Sequence, residues 1–114
     1  MRFMMIVKSN EEVEGGDMGD PAAYAAMTRY NEALVKAGVM LAGEGLHPSS
    51  KGTRITYAGA KRAVTDGPFS EAKELIAGYW LIQVKSKEEA IEWAKRIPFE
   101  DGVVELRQVA EVDD

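Results

Sequence analysis

The stretch Leu75–Pro98, LIAGYWLIQVKSKEEAIEWAKRIP, decides the fold. Its opening run, Leu75 to Val84, reads as the strongest strand of the chain, with Trp80, Ile82 and Val84 on one face and Tyr79 and Leu81 on the other. Ser86 and Glu89 follow in capping-box relation, where a hydroxyl and a carboxylate satisfy amides at the start of a helix. Ala90, Ile91, Ala94 and Ile97 then recur at helical spacing. Lys95 and Arg96 occupy the last turn, where cations suit the helix dipole, and Pro98 stops it.

The same plan recurs at the start of the chain. RFMMIVK is a strand apolar on both faces, Phe3, Met5 and Val7 against Met4 and Ile6. Residues 9–20 are polar, acidic and glycine-rich, the composition of a loop. Asp20 caps a helix beginning at Pro21, whose stripe is Ala23, Met27, Tyr30, Leu34 and Ala37, and Gly38 ends it. Val39–Leu46 is the next strand, with Gly43 and Gly45 marking a bulge or a close backbone approach. TRITYAG and KRAVTDG form a hairpin, and Val103–Val109 is the final strand. Strand–helix–strand, hairpin, strand–helix–strand is the ferredoxin-like α+β arrangement: a split βαβ sheet with an inserted hairpin and both helices on one face.

That arrangement leaves one sheet face uncovered, yet both central strands are apolar there. A face of several hundred Å² of apolar surface is unusual for a monomer, and a two-fold partner using the same face would cover it. The expectation is a homodimer with sheets packed face to face. The alternative is that the hairpin or loops cover the face within one chain.

At 114 residues the chain is a single domain, residues 1–114, long enough to bury roughly 65% of its unfolded surface. Apolar residues make up 46% and charged residues 29%, the balance of a globular chain. A net charge of −5 argues against gripping nucleic acid, since phosphate binding needs a cationic surface. Without cysteine there is no disulfide, thiolate metal site or thiol nucleophile, which fits a cytoplasmic protein. FMMIV is too short for a signal peptide or a membrane span. One histidine and no cysteine make a zinc site improbable, and neither a phosphate loop nor a dinucleotide fingerprint is present, so neither metal nor cofactor is expected.

GEGLHPS, VTDGPF, EAKELIAGYWLIQVKSKEEAIEWAKR and VELRQV, in this order, resemble the YCII-related proteins, specifically the branch named after its DGPF motif. The resemblance runs from residue 1 to about 110. It implies a dimeric α+β barrel, in agreement with the uncovered sheet face. It names no activity; better-known YCII-like members have been proposed to use a His–Asp pair, and the one histidine of this chain is His47, after the second strand.

Asp66-Gly67-Pro68-Phe69 reads first as a rigid turn, because Asp bonds its own downstream amides and Pro fixes its own φ. The functional reading puts the Asp66 carboxylate at a pocket rim, with Phe69 as a wall and Glu71, Lys73 and Glu74 beside it. His47 has the only side chain with an ordinary pKa near neutrality. Preceding Pro48, it reads either as a solvated loop residue or as the partner of Asp66 in a catalytic dyad. Glu44, Arg54, Glu105 and Arg107 read as interface charges, with an Arg able to hold a carboxylate ligand. Tyr79, Trp80, Trp93, Met4 and Met5 are core residues or the lining of an apolar cavity.

Three functions follow. The favoured one is binding of a small, partly apolar ligand by Arg54, Phe69, Glu71, Lys73, Tyr79 and Trp80 in the cleft of the homodimer. The second is a cofactor-independent enzyme using His47 and Asp66 for proton transfer on a small substrate. The third, resting on the resemblance, is a protein-interaction module beside transcription factors.

Overall fold

The computed structural model describes residues 1–9, 21–69 and 75–111. Over these the chain runs β1 (Arg2–Lys8), α1 (Pro21–Lys36), β2 (Met40–Gly45), a 3-10 turn (Ser49–Lys51), β3 (Thr53–Ala58), β4 (Lys61–Asp66), β5 (Ile76–Gln83), α2 (Lys87–Lys95) and β6 (Val104–Gln108). The expected Asp20 cap, Glu71, Lys73 and Glu74 lie outside the described residues.

β5 is a central strand. It pairs antiparallel with β1 on one side and β2 on the other, and β6 pairs antiparallel with β1, giving the order β2-β5-β1-β6. Each helix therefore connects two strands separated by a third, the ferredoxin-like α+β plan expected from the sequence. The hairpin β3–β4 is a second sheet of its own, closed by a two-residue turn in which Gly59 has φ +62°.

One sheet face and both helices share a single core. Phe3, Met5, Trp80, Ile82 and Val84 pack with Tyr30 and Leu34 of α1, Val39 behind it, Ala90 of α2 and Ile97 beyond α2. Tyr30 joins three elements: its hydroxyl donates to the Trp93 carbonyl at 2.7 Å, and its ring meets Trp80 edge-on at 5.4 Å. Burial pushes its pKa up to about 12, with the Arg96 charge pulling weakly the other way.

The helix signals operate with small shifts. Ser86 Oγ accepts from the Glu89 amide at 3.1 Å, while the Glu89 carboxylate reaches back one residue further than a capping box requires, to the Lys85 amide. α1 ends in a Schellman motif: Gly38 N–H to Val35 O, Val39 N–H to Leu34 O, Gly38 at φ +74°, and Val39 packed with Leu34 in the core. The stripe of α1 is shorter than expected, because Ala23 and Ala37 at its ends are exposed. On α2, Ile91 is exposed and Trp93 packs on the core instead. No helix of the described residues is long and apolar enough to cross a membrane.

The opposite sheet face carries the cross-strand rows Glu44–Tyr79–Ile6–Glu105 and Ala42–Leu81–Met4–Arg107. Met4, Ile6, Tyr79 and Leu81 are all partly exposed there. Glu105 and Arg107 pair with each other at 3.1 Å on the β6 edge. At the end of the same face, Arg2 and Glu111 form a two-pronged ion pair with a shortest contact of 2.6 Å; that hydrogen bond holds the Glu111 carboxyl below its ordinary pKa. The hairpin does not cover the face. β4 is exposed throughout and β3 almost so, with Ile55, Tyr57 and Val64 open to solvent.

Candidate functional site: a glycine-floored cavity

The ladder register sets Gly45 of β2 opposite Gly78 of β5, and Gly78 opposite Val7 of β1. This row faces the helices, and two of its three members have no side chain. The gap it leaves is part of a cavity of about 330 Å³. Met27 and Asn31 of α1, Trp80, Phe99 and the β2–β5 residues Gly43, Glu44, Ala77 and Tyr79 complete its wall. The volume is at the small end of ordinary ligand pockets.

Each glycine has its own reason. At Gly43 a Cβ would come 2.7 Å from Trp80 Cδ1, so the glycine admits the indole. At Gly78 it would come 2.7 Å from the Glu44 carbonyl oxygen. At Gly45 it would meet nothing within 4 Å, so that position opens on empty space. Of the close approaches expected at Gly43 and Gly45, one is found at Gly43, and it is made by side chains. The bulge lies earlier, between Met40 and Ala42.

One hydrogen bond orients the polar wall. Trp80 Nε1–H donates to Asn31 Oδ1 at 2.8 Å. With Oδ1 identified as the acceptor, Asn31 Nδ2 is the donor end of the amide. No hydrogen bond from Nδ2 is formed among the described residues, and no polar side-chain atom among them is both fully buried and unpaired, so Nδ2 reaches open space. Among the described residues Glu44 is the one charged residue of the lining, and its side chain belongs to the outer row of the sheet.

Of the candidate site residues singled out from sequence, Glu44, Tyr79 and Trp80 line this cavity, the first two along their strands with side chains on the outer face. Arg54, Asp66 and Phe69 gather instead at the base of the hairpin, against the 3-10 turn. There the Phe69 amide donates to Ser49 Oγ at 3.1 Å and the Gly67 amide to the Gly52 carbonyl at 2.9 Å. A Cβ on Gly67 would overlap the Ser49 carbonyl oxygen. The Arg54 guanidinium lies 3.8 Å from the centroid of the Phe69 ring. The Asp66 carboxylate accepts from the Thr53 hydroxyl at 3.0 Å in an exposed position. The DGPF segment is therefore a clasp between two turns 20 residues apart. His47 is exposed, and among the described residues no hydrogen bond joins it to Asp66.

Asn31, Met27 and Phe99 were not anticipated as site residues. Asn31 stands four residues after Met27 and three before Leu34, a polar residue on the apolar stripe of α1, and that spacing was the signal available for it.

The description YCII-related domain matches residues 1–113. The chain belongs to the YCII-related family. It is also 34% identical over 50 residues to a protein of Rhizobium meliloti (strain 1021) described as uncharacterized. That match spans 44% of this chain and 40% of the other, so it covers less than half of either.

Proposed function

We propose that this YCII-related protein, of the DGPF-motif branch, binds a small and mostly apolar molecule in the glycine-floored cavity, and does so as a homodimer in the cytoplasm. The observation that carries the reading is the cavity itself: a space next to a fixed Trp80–Asn31 hydrogen bond, with an amide donor reaching it. The sequence had set the ligand between two copies; the cavity within one chain is now the better site.

The dimer is supported by two features. The open sheet face has apolar centres, Met4, Ile6, Tyr79 and Leu81, flanked by Glu44 and Glu105 and by Arg107, a pattern that a two-fold axis can pair with itself. The hairpin is a lone two-stranded sheet, which is marginal in water unless it packs on something. It holds Arg54, Lys61 and Arg62 against Asp66 alone, in a chain of net charge −5, so its complement is the acidic remainder of a second copy. Proton transfer by His47 and Asp66 has weaker support, since Asp66 is engaged by Thr53 and both are exposed.

The reading is tested by a thermal-shift screen of small neutral and charged aromatics, with light scattering on the same sample. A saturable shift that disappears on replacing Gly45 by Leu, in particles of twice the chain mass, is the expected result. Shifts that are the same in both proteins would put the ligand elsewhere, and particles of single-chain mass would remove the dimer.

A further inference from the structure

Resting on that reading of the cavity, we infer that its ligand is an uncharged or cationic aromatic molecule carrying a hydrogen-bond acceptor, and that the site turns away carboxylates and phosphates. Asn31 Nδ2 is the donor to that acceptor, and a described wall without a cation sets the charge preference.

Three observations converge. Among the described residues the lining contains no Lys, Arg or His, so an anion entering it would lose water without gaining a counter-charge from them. Glu44, charged but in the outer row of β2 opposite Tyr79, meets the cavity along its strand while its carboxylate projects to the other face of the sheet, so the described wall itself is uncharged. The remaining wall carries π surface, Trp80 and Phe99, with their rings 6.5 Å apart. Aromatic faces attract cations and stack on flat rings, and both effects disfavour negative charge. The amide end of Asn31 then adds direction. Its oxygen already accepts from Trp80 while its Nδ2 donates to no described residue, so it favours a ligand that brings an acceptor such as a carbonyl oxygen.

An indole series tests this with the ring held constant: 3-methylindole (neutral), tryptamine (cationic at pH 7), indole-3-acetate (anionic) and indole-3-acetamide (neutral, with a carbonyl). Dissociation constants are measured by titration calorimetry on the whole chain. Tryptamine and 3-methylindole are expected to bind, and indole-3-acetate to bind at least about tenfold more weakly, which corresponds to 1.4 kcal/mol. In Glu44→Gln the order of the four probes should be unchanged, because that carboxylate lies on the other face of the sheet. Indole-3-acetamide should bind more tightly than 3-methylindole, and Asn31→Asp, which keeps an acceptor for Trp80 but exchanges the donor for an oxygen, should abolish that gain. Equal or tighter binding of indole-3-acetate overturns the charge inference and leaves the cavity reading standing. Binding of none of the four, with Gly45→Leu and wild type melting alike in their presence, overturns the cavity reading and this inference with it.

Discussion

Replacing Gly45 by Leu separates the cavity from the fold that frames it. A Cβ at this position meets nothing within 4 Å, and its φ lies outside the left-handed range, so the substitution forces neither a clash nor backbone strain. The new side chain points to the helix-facing side, in the row of Gly78 and Val7, and occupies space that a ligand would use. In the free protein two small effects act in the same direction. A glycine replaced in an unstrained strand gains about 0.4–1 kcal/mol from the reduced freedom of the unfolded chain. Part of an apolar side chain would also be removed from water inside the cavity, at about 25 cal/mol per Å². The free variant should therefore melt at the wild-type temperature or a few degrees above it. Ligand at 100 times its dissociation constant stabilises the wild type by about 2.7 kcal/mol. For a chain of this length that is a rise of roughly 10 °C, at about 4 °C per kcal/mol. The variant should show none of it. Differential scanning fluorimetry with and without the tightest indole probe reads both quantities in one plate. A variant that melts well below wild type contradicts the open space at Gly45, and one that keeps the full ligand shift contradicts the position of the site.

Tyr30→Phe should lose about 1 kcal/mol at pH 7, because the Trp93 carbonyl keeps its bond from the Arg96 amide when the hydroxyl goes. Its pH dependence has a definite sign: burial raises the Tyr30 pKa from 10.0 to about 12, so the unfolded chain ionises first as pH rises. Wild-type stability should fall relative to Tyr30→Phe between pH 10 and 12, by about 2–3 kcal/mol at most, and urea unfolding that keeps the two curves parallel there would reject a buried neutral phenol. Leu81→Glu sets a carboxylate at the centre of the open sheet face; light scattering should then report single chains, and an unchanged dimer mass would mean that the partner sits elsewhere. Gly67→Ala should open the clasp at the base of the hairpin, read as faster proteolysis within residues 53–66 while the four-stranded sheet keeps its melting temperature. A hairpin as resistant as in wild type would show that the Ser49 carbonyl has room to move.

What the sequence carried and what it withheld divide along the distance between interacting residues. β5, expected over 75–84, is found at Ile76–Gln83, and α1 starts at Pro21, because alternation, capping and proline act within a few positions. The two-sided apolarity of β1 and β5 was legible for the same reason. The cavity was not. It depends on Gly45 meeting Gly78 across a ladder, and on Trp80 finding Asn31 49 residues away, neither of which any local window contains. The DGPF turn is intermediate. Its stiffness can be read from Pro68 beside Gly67, but the reason for a glycine at 67 is the carbonyl of Ser49, in a turn on the far side of β3 and β4. This also bears on how the motif should be weighed. Asp66 invites a chemical role when the tetrapeptide is viewed alone, whereas in the fold its carboxylate is bonded to Thr53, its glycine lies against backbone and its phenylalanine is stacked under Arg54. A segment whose members are each occupied in holding the hairpin has a structural reason for its composition. Asn31, with its amide nitrogen left over, is at the cavity beside Trp80, and that is where substitutions should change what the protein binds.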